Sequence, residues 1–387
     1  MTSGDLSELT QTLTSVFENS FKNRIEQVKY ELEDGKEVPA DPEFYPYFDE
    51  TKYLNRKWQK CNFSHFSKEV FAIFWHLELS DIHVPKDLYD ERIKLKEKEL
   101  KECHNSRDQS KMSHLIDMLK AELEAQKSNH VEVQKFLKDK LPEMFKSIQE
   151  VKLLSEFFVQ NCLFPRLMMS PDDALYSIRF LKMLVDIKVP KINVLNILQG
   201  IMQAVISSVH SCTHNEAENI GVFLIEWFQL VDRWTDKKIW QQECATYTGF
   251  SMTLGGDDII DHDMYTKKYC FNMYSKICTH LCQCLQNPQN PTKIQSTLSI
   301  LNRILKEVRV FPKQNRHIEQ INEEVDKIVE CRDFDYKNKL QNIQRMAFAY
   351  KNELSKVFAA VLNKPEPQVS VEKMDSGNQG TGNKERK

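Results

Sequence analysis

The sequence predicts an all-α protein built from stacked helical pairs that form an α-α superhelix. Three observations lead there. Apolar residues recur at i, i+3, i+4 and i+7 through segment after segment, the spacing that lays one stripe along a helix. Helix-start signals stand in front of several of these segments. Glycine is scarce, 10 residues in 387, under half of the roughly 7% usual in globular chains. Tight hairpins and phosphate-cradling loops both need glycine. The chain contains neither G-x-G-x-x-G nor G-x-x-x-x-G-K-[ST], which argues against a nucleotide-binding α/β fold.

Leu6, Leu9, Leu13, Val16, Phe17 and Phe21 predict a helix over 5–33, followed by a Pro- and Tyr-rich connection over 34–60. Phe66, Val70, Phe71, Phe74 and Leu77 predict a helix over 65–79. Pro85 suits a helix first turn. Residues 84–141 then change in kind. Their acids and bases nearly balance, and their apolar positions (Leu115, Met118, Leu119, Leu123) are sparse. The pattern predicts an extended solvated helix or a helical hairpin with many i,i+4 pairs, broken near His104–Ser110.

Ser170-Pro171-Asp172-Asp173 offers an N-cap, a first-position proline and two first-turn acids. Leu175, Ile178, Leu181, Leu184 and Val185 mark the buried face of that helix. Pro190 ends it or starts the next, whose stripe runs from Ile192 to Val209. Thr213 and Glu216 have capping-box spacing and open a helix with Ile220, Phe223, Leu224, Trp227, Leu230, Val231 and Trp234. After Gly255-Gly256, further helices are expected at about 264–286, 291–309, 314–332 and 335–361, with Asp263 capping the first of them. These shifts divide the chain into an N-terminal helical segment (1–83), a charged helical linker (84–141), a C-terminal helical domain (142–362) and a disordered tail (363–387).

Net charge is −3, so any polyanion must bind a local patch and not a global field. The 10 cysteines are scattered, and neither a secretory leader nor a run of about 18 apolar residues occurs, which predicts reduced thiols and no membrane partner.

Residues 157–254 carry a resemblance to one family. FVQNCLFPR (158–166), SPDDALYSIRF (170–180), SCTHNEAENIGVFL (211–224) and RWTDKKIWQQECATYTGF (233–250) resemble, in order and spacing, elements of the C-terminal domain of THO complex subunit 2. EVFAIFWHLELSDIHVPKDLYDERIKLK (69–96) is similar to that family's upstream helix and the start of its charged linker. The resemblance covers roughly 65–350. It implies a superhelix of HEAT-like or eIF4G-middle-domain-like pairs and a non-enzymatic nuclear scaffold coupling transcription to mRNA export. Implied partners are the other THO complex subunits, a DEAD-box RNA helicase and mRNA bound without sequence preference. Family members are much longer and carry a long basic tail, whereas residues 364–387 are nearly balanced in charge.

The residues themselves give no expectation of a catalytic, cofactor or metal site. Asp257, Asp258 and Asp261 spell D-D-x-x-D, which holds Mg²⁺ in all-α prenyl-diphosphate enzymes. The second acidic motif such enzymes need is missing, and an acidic loop ending in a helix cap is the expected reading. Cys278, His280, Cys282 and Cys284 suggest zinc, but a second ligand pair is missing, and core thiols are expected. His210 and His262 have no Ser, Cys or Asp relay in the sequence. Arg303, Lys306, Arg309, Lys313 and Arg316 share roughly one helical face with one intervening acid, Glu307. That patch reads either as a phosphate-binding surface for RNA or as a solvated helix face.

Overall fold

A computed structural model describes residues 66–103, 105–146, 151–253, 256–286, 290–305, 315–330 and 337–362. The expected helix at 5–33, the connection at 34–60 and the tail from 363 lie outside the described residues. Among the described residues the fold is all-α, with 13 helices and no strand. The one β feature is an isolated bridge between Ser251 and Ile259.

Short helices α1 (Lys68–His76) and α2 (Leu79–Ile82) lead into a helical hairpin, α3 (Lys86–Glu102) and α4 (Ser106–Lys146). The break expected near His104–Ser110 falls only at the junction between these helices, since α4 is already helical from Ser106. At 41 residues, α4 is about 60 Å long. Its first half packs under α3 through Ile116 and Leu123. Its second half sends Val133, Leu137, Leu141 and Phe145, spaced by four, into the main core. The expected division at residue 141 falls inside this helix.

The body follows as helical pairs. Helix α5 runs Val151–Phe158, widens into a π turn at Val159–Leu163 and continues as Phe164–Leu167. Pro165 cannot donate to the carbonyl four residues back, and the turn widens just upstream, where Phe164 N–H bonds to Val159 O five residues away. Then come α6 (Pro171–Ile187), α7 (Val194–Ser208), α8 (His214–Arg233), short α9 (Lys237–Glu243), α10 (His262–Met264, a π stretch Tyr265–Cys270, then Phe271–Leu285), α11 (Pro291–Leu305), α12 (Asn315–Glu330) and α13 (Lys337–Leu362). Helices α6, α8, α11 and α13 pack side by side in one row, and α5, α7, α10 and α12 form the second. The stacked pairs expected from the sequence are thus present, with one continuous core between the rows.

Boundaries follow local chemistry. Ser170 Oγ accepts from Asp173 N at 3.1 Å, with Pro171 at the first helical position of α6. Thr213 and Glu216 form the expected capping box on α8, at 2.7 and 3.3 Å. Pro190 does not begin α7. Lys188 closes α6 in the left-handed region, with φ 56°, and Asn193 caps α7 by accepting from Asn196 N at 2.8 Å. The cap of α10 is Asp261, not Asp263. Asp261 has the extended backbone a cap requires and accepts from Met264 N at 2.6 Å, while Asp263 pairs with Lys267 one turn on.

Gly221 marks the tightest approach between rowmates α8 and α11. A Cβ there would sit 2.7 Å from Arg303 Cβ and 2.9 Å from its Cγ. Gly221→Ala should therefore cost about 1–3 kcal/mol by overpacking, read as a lower urea midpoint with unchanged slope.

Candidate functional site

The strongest sequence motifs converge on two polar knots, one buried and one half-buried. The first is centred on Arg166, 6% exposed, at the end of α5. Its Nη1 donates to Phe74 O and its Nη2 to Leu77 O at 2.8 Å, the free carbonyls at the end of α1. Its Nε donates to Asp173 Oδ1 in the first turn of α6 at 2.8 Å. The guanidinium lies over the Tyr176 ring, 3.5 Å from the centroid, and Tyr176 Oη donates to Phe74 O at 3.0 Å. A buried charge is tolerated when each donor has a partner, and one side chain here fixes α1, α5 and α6 together.

The second knot is centred on Glu243 at the end of α9. It accepts from Arg233 Nη2 at 2.7 Å and Nε at 3.1 Å, and from Trp234 Nε1 at 3.0 Å, with Lys182 Nζ of α6 at 3.5 Å. Burial pushes the Glu243 pKa up, but the bonds from Arg233 and Trp234 and the charge of Lys182 outweigh it, so the carboxyl lies below its ordinary value. Trp234 and Trp240 meet Phe250 edge-on around this corner, and Trp240 lies tilted against Tyr265. Tyr265 Oη and Tyr274 Oη of α10 donate to Val231 O and Phe228 O near the end of α8, at 2.9 and 3.2 Å. Both knots organise the array and present no reacting geometry.

The surface offering itself for contact is the α3–α4 arm. Leu88 and Leu95, 66% and 47% exposed, repeat at i,i+7 on α3, and Leu115 and Met118 are exposed on α4. Leu88, Tyr89, Arg92, Leu95 and Leu119 line an open groove of about 420 Å³. Polar contacts hold the arm in place. Tyr89 Oη donates to Glu122 at 2.8 Å and accepts from Gln126 at 2.9 Å, and Lys120 pairs with Glu97 at 3.0 Å. Burial first, and then Glu122, pushes the Tyr89 pKa up to about 12. At its base, Asn129 donates to Asp81 at 2.9 Å, and His130 meets Ile82 O at 3.2 Å.

The sequence candidates separate. Asp257, Asp258 and Asp261 do not converge on one cation position. Asp258 accepts from Thr253 N and Oγ1, Asp261 caps α10, and Asp257 is exposed. Cys278 and Cys282 are buried, Cys278 near Tyr350 and Cys282 near Glu324 of α12. His280 and Cys284 point the other way, toward His210 at the end of α7. His262 bonds to Thr235 O at 2.8 Å. Arg303 is exposed on α11, its stem over Gly221. Lys306, Arg309 and Lys313 lie outside the described residues, and so does the side chain of Arg316. Sequence reasoning missed Arg166 and Glu243, which it quoted only inside motifs, and the Leu88/Leu95 pair. A leucine pair seven apart in so charged a helix was the available signal.

The family model for "Transcription factor/nuclear export subunit protein 2", Tho2, matches residues 63–366, which spans every described helix. The chain belongs to the Tho2 family. Similarity extends across distant eukaryotes. THO complex subunit 2 of Dasypus novemcinctus is 27% identical over 311 residues, covering 74% of this chain and 18% of that protein. That of Arabidopsis thaliana is 24% identical over 254 residues, covering 62% and 14%. That of Saccharomyces cerevisiae is 30% identical over 174 residues, covering 43% and 10%. The chain therefore spans less than a fifth of the length of these relatives. Both polar knots and the arm of this Tho2 chain fall within the matched range. Among its described residues, no helix is long and apolar enough to cross a membrane.

Two outcomes follow from the knots. Arg166→Met removes the partner of Leu77 O, one of two donors to Phe74 O and the cation paired with Asp173, and should destabilise the fold by about 3–5 kcal/mol, seen in denaturant unfolding. A carboxyl with a depressed folded pKa contributes stability above its unfolded pKa and loses it as pH falls through the folded value. Glu243→Gln should therefore lower neutral-pH stability by about 1–3 kcal/mol and flatten the stability loss below the ordinary glutamate pKa of 4.5, measured by melts across pH.

Proposed function

We propose that this chain is a non-enzymatic helical scaffold module of the THO complex, working in the nucleus in mRNP assembly and mRNA export. It acts through protein–protein contacts with other THO complex subunits and with a DEAD-box RNA helicase. The observation that carries this reading is the match of residues 63–366 to the Tho2 family, with relatives named THO complex subunit 2 in animals, a plant and a yeast.

The mechanism is rigid presentation. Two helix rows sharing one core hold the base of α4, and the arm extends its exposed leucines from that base. An amphipathic helix of another subunit can lay its apolar face along the Leu88–Leu95 stripe, with Arg92 and Glu91 at the groove edge to fix its direction. A scaffold of this kind orients helicase lobes only through a difference in affinity for their arrangements.

The test is capture of the tagged full chain from nuclease-treated nuclear extract, followed by reconstitution with purified THO subunits. Co-purification of those subunits supports the reading, and failure to associate with any of them defeats it. The double variant Leu88→Ser/Leu95→Ser should weaken that association at least about tenfold, as loss of a central apolar anchor does. Its melting temperature should hardly move, because both side chains are exposed.

A further inference from the structure

We propose that His210, His280 and Cys284 bind a single zinc-type transition-metal ion that staples the end of α7 to α10. His280 and Cys284 are one helical turn apart on α10 and project to the same side, and His210 follows the last turn of α7. One donor atom from each lies within 4.8 Å of the other two. The imidazoles meet edge to face, 4.8 Å between centroids and 85° between planes. Bonds of about 2.0–2.3 Å in a tetrahedral site need donors roughly 3.5 Å apart. His210 is exposed, so its side chain can turn to shorten its own two separations.

A second observation points the same way. His280 Nε2 is buried and has no hydrogen-bond partner among the described residues. A buried ring nitrogen left bare in this way is available to ligate a metal. A buried polar atom otherwise finds a partner. Cys284 is fully buried behind the pair, flanked by Thr297. Burial and then Lys293 hold His210 below the ordinary imidazole pKa. At His280, burial comes first, then His210 and Lys293.

Binding would replace the Cys284 thiol proton, released to solvent, with a sulfur–metal bond. Nitrogen and thiolate donors together suit zinc and cobalt, and exclude a hard cation such as Mg²⁺. Three protein ligands leave a fourth position for water or for a donor from a bound subunit. In sequence the Cys278–Cys284 run lacks a second ligand pair, and His210, which faces it in the fold, stands 70 residues away. Of the four candidates in the C-x-H-x-C-x-C run, two face the site and Cys278 and Cys282 do not.

The experiment adds Co²⁺, then Zn²⁺, to the chelator-treated full chain. The expected result is a thiolate-to-cobalt charge-transfer band saturating at about one ion per chain and bleached by Zn²⁺. Cys284→Ser should abolish the band, Cys282→Ser should leave it unchanged, and His210→Ala should weaken binding at least about tenfold. His210 is exposed, so its substitution keeps the test valid even if a buried cysteine variant fails to fold. Absence of a thiolate band, its survival in folded Cys284→Ser, its loss in folded Cys282→Ser, or unaltered affinity in His210→Ala would each overturn the proposal.

Discussion

The buried guanidinium of Arg166 is the constraint on which the arrangement of this protein depends. A permanent cation inside a core is unfavourable until every donor is satisfied. Here two helices satisfy it together: the end of α1 with two carbonyls, and the first turns of α6 with Asp173 and the face of the Tyr176 ring. None of these elements can move independently without stranding the charge. The π turn before Pro165 sets where the arginine emerges, so a backbone irregularity in α5 decides the angle at which the first pair begins.

From that corner the array grows by repetition of one physical solution. Each row gains a helix by burying the next apolar stripe, and polar groups tie the rows where stripes alone would let them slide. Tyr265 and Tyr274 bind carbonyls of α8, Glu243 gathers Arg233, Trp234 and Lys182, and Asn302 donates from α11 to Met346 O of α13 at 3.2 Å. Hydrogen bonds to backbone carbonyls fix register in a way that nondirectional apolar contact does not. The close approach at Gly221 belongs to the same design, because the backbone of α8 can meet α11 there only without a side chain.

The arm differs from the body in what holds it. Its two helices bury few apolar residues against each other, and side-chain bonds from Tyr89, Lys120 and Asn129 supply the rest. Helix α4 belongs to both parts, so the arm is continuous with the core through an unbroken helical backbone. Leu88, Leu95, Leu115 and Met118 are among the exposed apolar side chains that this arm carries.

The sequence by itself determined the all-α class, several helix starts and the family. Stripe spacing is written in the chain, and a cap such as Ser170 or Thr213 acts within three residues, so local chemistry suffices. It misassigned the cap of α10 because Asp261 and Asp263 are both competent and only the backbone path chooses between them. Tertiary structure alone decided the rest. Arg166 meets carbonyls about 90 residues away, and His280 faces a histidine 70 residues earlier in the chain. Neither spacing has a periodic signature, since loop length sets no fixed relation between distant residues. Leu88 and Leu95 lie in a segment that reads as a solvated helix or hairpin in sequence, and only the packing of α3 on α4 shows that the pair stays uncovered. Local periodicity specifies what each helix can bury, and the mutual packing of helices specifies what it does bury.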